Sequence, residues 1–133
     1  MERAFVDTSA WVAHLNRKDS AHEAVGRALR SRAGRLVTSS YVLDEALTLA
    51  RFRLGHRAAV ALGDLLRDPD AVDLIRITPA DEAEAWDLFV ARDDQRYSFT
   101  DCTSFALMRR MGLETTVTLD ADFRGEGFLV EPS

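Results

Sequence analysis

The sequence predicts an α/β fold of three layers, with helices on both faces of a central five-stranded parallel sheet, built as a single domain over residues 1–133. Two observations predict it. Short apolar runs of strand length alternate with longer stretches of helical apolar spacing, and such alternation implies parallel pairing with helices covering the sheet. No repeat, low-complexity tract or Pro/Gly/Ser-rich linker interrupts that pattern. A chain of this length can bury roughly two-thirds of its unfolded surface, so it needs no metal or disulfide merely to fold.

Residues 3–6 form the first apolar run, which stops at Asp7-Thr8-Ser9, where a helix starts. Ser20 and Glu23 have capping-box spacing, and Ala24, Val25 and Leu29 supply the apolar face of the helix that follows. Leu36 and Val37 make a second short strand, ended by Thr38-Ser39-Ser40. Over residues 41–54 the apolar positions Val42, Leu43, Ala46, Leu47, Leu49 and Ala50 recur at helical spacing. Gly55 ends that helix, and another covers residues 57–67 and closes at Asp68-Pro69. Residues 72–77 read as a third strand. Thr78, Pro79 and Asp81 then supply an N-cap, a proline at the first helical position and a capping acid, opening a helix that extends to about Arg92. A further helix spans Phe99 to Met111, with Gly112 as its stop. Residues 116–119 and 128–130 complete the strands.

The net charge of −5 excludes a protein that binds nucleic acid through bulk positive charge. It leaves open an enzyme that meets phosphates through bound cations. The one cysteine, Cys102, cannot form an internal disulfide. The N-terminus lacks a charged segment followed by a long apolar stretch, and no apolar run approaches the ~18 residues that cross a bilayer. A cytoplasmic protein with no membrane partner is therefore expected.

Ligands of parallel α/β sheets bind outside the carboxyl ends of the strands, and acids gather there. Asp7 follows the first strand and Asp120 the fourth, while Glu45 and Asp101 lie early in the helices after the second strand and before the fourth. Each acid has a purely structural reading. Asp7 could be an N-cap, Asp101 the acid of a capping box with Ser98, Asp120 the anchor of a turn, and Glu45 a solvated helix position. Together, however, four crowded carboxylates would repel and raise one another's pKa values. A hard divalent cation removes that cost, and oxygen donors suit Mg²⁺ or Mn²⁺ rather than zinc.

His14, His22 and His56 show no zinc-like pairing, and His22 and His56 read as surface residues. The segment from Asp120 to Gly125 begins like a calcium loop, but Arg124 occupies a ligand position. Cys102 lacks an obvious histidine partner and reads as a structural thiol.

These residues resemble the PIN-domain family and, within it, the VapC-type toxin ribonucleases of toxin–antitoxin pairs. Four segments carry the resemblance, in order and across nearly the whole chain. The first is Phe5-Val6-Asp7-Thr8-Ser9-Ala10-Trp11. The second is Ser39-Ser40-Tyr41-Val42-Leu43-Asp44-Glu45, the third Ser98-Phe99-Thr100-Asp101-Cys102 with Ala106-Leu107-Met108, and the fourth Thr118-Leu119-Asp120-Ala121-Asp122-Phe123. The resemblance implies a PIN-like three-layer fold and a metal-dependent endoribonuclease with one or two Mg²⁺ or Mn²⁺ ions. Asp7 and Asp101 would be the chief metal ligands. Glu45 would bind metal or orient the attacking water, and Asp120 would complete the site. Thr8 and Thr100 would orient the carboxylates behind them, Asp122 could share or take the role of Asp120, and Asp44 is an alternative to Glu45. The resemblance further implies an RNA substrate, a cognate antitoxin and a homodimer.

The rival reading is a catalytically inert PIN-like module that binds RNA or protein, and the presence of all four acids counts against it. A haloacid-dehalogenase-type phosphatase would need a second aspartate two residues after Asp7, where Ser9 stands. A receiver domain would need a late lysine, and the only lysine is Lys18.

Overall fold

The computed structural model describes residues 2–133. Five strands form one sheet: β1 (Ala4–Val6), β2 (Leu36–Ser39), β3 (Asp73–Ile75), β4 (Thr115–Val117) and β5 (Leu129–Glu131). Their spatial order is β3-β2-β1-β4-β5, and every neighbouring pair is parallel. Helices α1 (Thr8–Leu15) and α2 (His22–Ser31) link β1 to β2, while α3 (Ser40–Leu54) and α4 (His56–Leu66) link β2 to β3. The return from β3 to β4 passes through α5 (Pro79–Ala91) and α6 (Phe99–Met111), and α7 (Asp122–Gly125) lies between β4 and β5. The predicted three-layer α/β class with five parallel strands is the observed one.

β1 is central, and Ala4, Phe5 and Val6 are all fully buried, as a strand covered on both faces requires. Strand order reverses at β1, since β2 joins one side and β4 the other. The loops leaving β1 and β4 therefore diverge and open a crevice at their carboxyl ends. That crevice is where Asp7 and Asp120 emerge.

Around the sheet, α3 packs on α4 and α1, and α5 packs on α6. Phe105 of α6 meets Tyr97 and Phe123 edge-on, at ring separations of 5.0 and 4.9 Å, and anchors the short α7 to the core. A hydroxyl relay joins the opposite side. Trp11 Nε1 donates to Thr38 Oγ1 over 3.2 Å, and that hydroxyl donates to the Val6 carbonyl over 2.9 Å. Among the described residues no helix is long and apolar enough to cross a membrane.

Several details depart from the sequence expectations. Ser20 and Glu23 form no capping box. Ala21 is the N-cap of α2 without a side-chain cap, because the Asp19 carboxylate captures the Ala21 amide at 2.8 Å and places Ser20 inside that turn. β2 continues through Thr38 and Ser39, whose hydroxyls are satisfied in place: Thr38 by the relay and Ser39 by capping Val42 N. β4 ends at Val117 rather than Leu119, because the Leu119 amide turns to the Ser9 hydroxyl at 2.9 Å. The expected third strand shortens to Asp73–Ile75, an edge strand with β2 as its one neighbour. His22 is half-buried rather than a surface residue, with Nδ1 2.9 Å from the Ala13 carbonyl and its ring stacked on His14. Helix α7 was not anticipated at all. The capping boxes at Thr78/Asp81 and Ser98/Asp101 form as their spacing predicts.

The relay gives a test of how the central strands are tied. Thr38→Val keeps the shape but leaves the buried Trp11 N–H without its acceptor, which should cost about 1–3 kcal/mol. Urea denaturation measures it, and an unchanged midpoint would show that the relay adds nothing to stability.

Candidate active site

Asp7 is the residue between β1 and α1, at the N-cap position, but its side chain makes no capping hydrogen bond to the helix. It is 4% exposed, and its Oδ2 instead accepts from Thr118 Oγ1 at 2.9 Å and Ser9 Oγ at 3.2 Å. The Ser9 and Thr118 hydroxyls are themselves 3.1 Å apart. Ser9 then accepts from Leu119 N, and Thr118 Oγ1 accepts from Asp120 N at 3.0 Å. This hydroxyl web stitches the end of β1 to the loop after β4. Neither member was singled out by sequence reasoning. The available signal was their symmetry, Ser9 two residues after Asp7 and Thr118 two before Asp120.

Asp101 stands in the first turn of α6 and does serve the capping box, accepting from Ser98 N through Oδ2 at 3.0 Å. Its structural and site placements therefore coexist. Asp120 accepts from the Asp122 amide at 2.9 Å, the turn-holding contact that its bland reading anticipated. Carboxylate oxygens of Asp101, Asp120 and Asp122 lie within 4.8 Å of one another, a spacing that could hold a metal ion. Glu45, on α3, joins Asp7, Asp101 and Asp120 in lining a cleft of about 400 Å³. Its neighbour Asp44 is exposed and does not line that cleft. Thr8 lines it too, whereas Thr100 does not, and the Thr100 carbonyl accepts from Thr103 and Ser104 within α6.

Electrostatics single out two of the acids. Burial pushes the Asp7 carboxyl up to about 6 against the opposing Thr118 hydrogen bond, with further upward pushes from Glu45 and Asp120. Burial likewise lifts Asp101 to about 7, opposed by the Ser98 amide and reinforced by Asp7 and Asp120. Asp122 is raised as well, first by burial and then by Asp120. Cys102, next to Asp101, is fully buried and its thiol is pushed by burial up to about 11, which fits a structural thiol and no nucleophile.

The donor set fits a hard divalent cation. Its ligating atoms are oxygens, and they carry unrelieved mutual repulsion. The Thr8 hydroxyl is buried at the cleft wall without a hydrogen-bond partner, an orphan polar atom that a bound ion's water would satisfy.

A crevice at the switch point of a parallel sheet, lined by carboxylates, defines an acid-centred α/β domain. The chain belongs to the PIN-domain family, whose description as a PIN domain matches residues 4–127, and within it to the VapC group. It is 41% identical over 125 residues to the 23S rRNA-specific endonuclease VapC20 of Mycobacterium tuberculosis, covering 94% of this chain and 95% of the relative. Ribonuclease VapC26 of the same organism is 32% identical over 117 residues, covering 86% and 84%. The crystal structure of M. tuberculosis VapC20, described as a Sarcin-Ricin loop cleaving toxin, superposes with a TM-score of 0.90 at 40% identity, over 95% of this chain and 96% of that one. DNA-bound VapBC from Salmonella typhimurium shares the fold, with a TM-score of 0.73 at 16% identity over 98% of both chains.

The raised carboxyls carry a pH signature. Between the ordinary value of 3.8 and about 7, folded Asp101 keeps a proton that the unfolded chain has released. Stability due to this group therefore falls as pH rises through that window, and the full penalty is present above it. In metal-free protein, Asp101→Asn should stabilise relative to the parent by a margin that is smaller at about pH 5 and larger at about pH 8. Denaturation of both proteins in a chelator measures the margin. A margin independent of pH would mean that Asp101 sits in its ordinary range.

Proposed function

We propose that the chain is a metal-dependent endoribonuclease, the toxin of a type II toxin–antitoxin pair, which hydrolyses RNA phosphodiester bonds at its carboxylate cleft. The observation that carries this reading is the convergence of Asp7, Glu45, Asp101 and Asp120 on one cleft, with Asp7 and Asp101 held above their ordinary range. An inert binding module gains nothing from such stored repulsion, whereas a cation site does.

Asp7 and Asp101 are the chief ligands, Asp120 completes the site with Asp122 beside it, and Glu45 binds the ion or orients the attacking water. Mg²⁺ or Mn²⁺ matches the all-oxygen donors. Such an ion supplies a water of lowered pKa and offsets charge on the phosphate. Ser9 and Thr118 hold the Asp7 carboxylate in place, and the Ser98 amide fixes one oxygen of Asp101 while leaving the other free. Thr8 offers its unpaired hydroxyl to the ion's water shell. The identity to VapC20 makes a loop of 23S rRNA the first substrate to test.

The antitoxin is proposed to silence the site with a basic side chain. An arginine suits it, because its planar fork can bind two carboxylate oxygens at once. A homodimer belongs to the same reading, and Trp86, Phe89 and Val90 of α5 leave apolar surface exposed for a second copy to cover.

Asp101→Asn retains a capping oxygen, so it should fold while losing Mg²⁺- or Mn²⁺-stimulated cleavage of 23S rRNA. Asp7→Ala should abolish the growth arrest that expression of the chain alone causes. Gel analysis of cleavage by purified protein, and growth at matched expression, read the two outcomes. Retained cleavage in Asp101→Asn, or unchanged toxicity in Asp7→Ala, would overturn the assignment.

A further inference from the structure

A cleft built from acids must still receive a polyanion, in a chain whose net charge is −5. Among the described residues that line the cleft, Arg53 is the one cation. Glu45, Leu49 and Arg53 follow one another at four-residue spacing along α3 and all line the cleft, so they share one helix face. The rise along that helix places the Arg53 backbone roughly 12 Å from that of Glu45. The Arg53 side chain is exposed, and among the described residues no carboxylate oxygen pairs with it within 4.0 Å. Arg92, Arg109 and Arg110 are different, because Glu126 and Asp81 engage their guanidinium groups.

The bland account is that Arg53 offsets the dipole at the C-terminal end of α3. Arg51 sits in the same last turn and answers that need equally well, yet it lines the groove between α3 and α4. An unpaired guanidinium turned into the acidic cleft is left without a structural reason.

We infer that Arg53 is a substrate-positioning residue, binding a backbone phosphate of single-stranded RNA at the far end of the cleft from the reacting bond. The inference rests on the ribonuclease reading above. Single strands are the fitting class, because RNA loops and ends expose a backbone and unstacked bases that a side chain can reach. A guanidinium binds such a phosphate in a forked geometry, and its positive charge offsets the approach of the strand to the acids. Bound this way, Arg53 contributes equally to the ground and transition states, so its loss appears in KM and not in kcat.

The test uses a short single-stranded RNA spanning the cleaved loop, with binding read by fluorescence anisotropy in the Asp101→Asn background so that cleavage does not intervene. Arg53→Gln should weaken binding several-fold and make the slope of log affinity against log salt shallower by about 0.7, the release expected for one phosphate on a single strand. Arg53→Lys should restore most of the slope, and Arg51→Gln, which removes the same charge from the same helix end, should change it less. In the cleavage-competent protein, Arg53→Gln should raise KM several-fold with kcat retained. Equal slopes for Arg53→Gln and Arg51→Gln, or a loss confined to kcat, would overturn the inference. If the parent neither binds nor cuts RNA, the ribonuclease reading itself fails, which is a different result.

Discussion

The hydrogen bond from Thr118 to the buried Asp7 carboxylate joins the central strand to the loop that follows its neighbour β4. Everything distinctive at the carboxyl edge of the sheet depends on it. Asp7 would otherwise be a charged side chain in a nearly dry position, and burial alone would drive it further toward its neutral form. The Thr118 hydroxyl, with Ser9 beside it, keeps the carboxylate pointed and at the same time accepts from the Asp120 amide. A single web of hydroxyls therefore sets the relative positions of two acids that are far apart along the chain. The repulsion among the acids is tolerated because the hydrophobic core, centred on β1 and Phe105, supplies the stability that the site withholds.

A second network holds the other flank of the site. Glu126, at the C-terminal end of α7, is almost fully buried. It accepts from Arg92 Nε at 3.0 Å, Arg109 Nη2 at 3.0 Å and the Tyr97 hydroxyl at 2.8 Å. Burial pushes its carboxyl upward, but these donors win and hold it down at about 2. The contrast with Asp101 is informative. Glu126 is surrounded by cations and is held down, whereas the half-buried Asp101 is lifted by burial and then by the acids it faces. Tyr97 precedes the Ser98 cap of Asp101, and α7 carries Asp122, so the Glu126 network braces both sides of the three-acid cluster. Phe123, packed on Phe105, pins α7 from the core side.

Local chemistry made most of the fold legible. The boxes at Thr78/Asp81 and Ser98/Asp101, the left-handed Gly112 stop and the apolar spacing of α3 each depend on neighbours a few residues away, and each formed as read. The four acids were legible because they follow strands or begin helices at one edge. What escaped was tertiary in origin. Helix α7 has four residues and owes its existence to Phe123 and Glu126, which local propensity cannot register. The hydroxyl web spans a sequence separation of 109 residues between Ser9 and Thr118. Ser20 is no cap because the turn that Asp19 closes on the Ala21 amide moves the helix start on to Ala21. The burial that separates Asp7 from an ordinary N-cap is likewise a property of the folded sheet.

The central claim is that these carboxylates form one cation site whose protons a metal displaces. Calorimetric titration of the protein with Mn²⁺ near pH 6, in buffers of different ionisation enthalpy, counts those protons directly. With Asp101 lifted to about 7 and Asp7 to about 6, both acids hold protons at that pH. Mn²⁺ binding should therefore release about one proton or more per site, and the release should fade as pH rises above both values. Binding without proton release, or undiminished binding in an Asp7→Ala, Asp101→Asn double variant, would contradict the account.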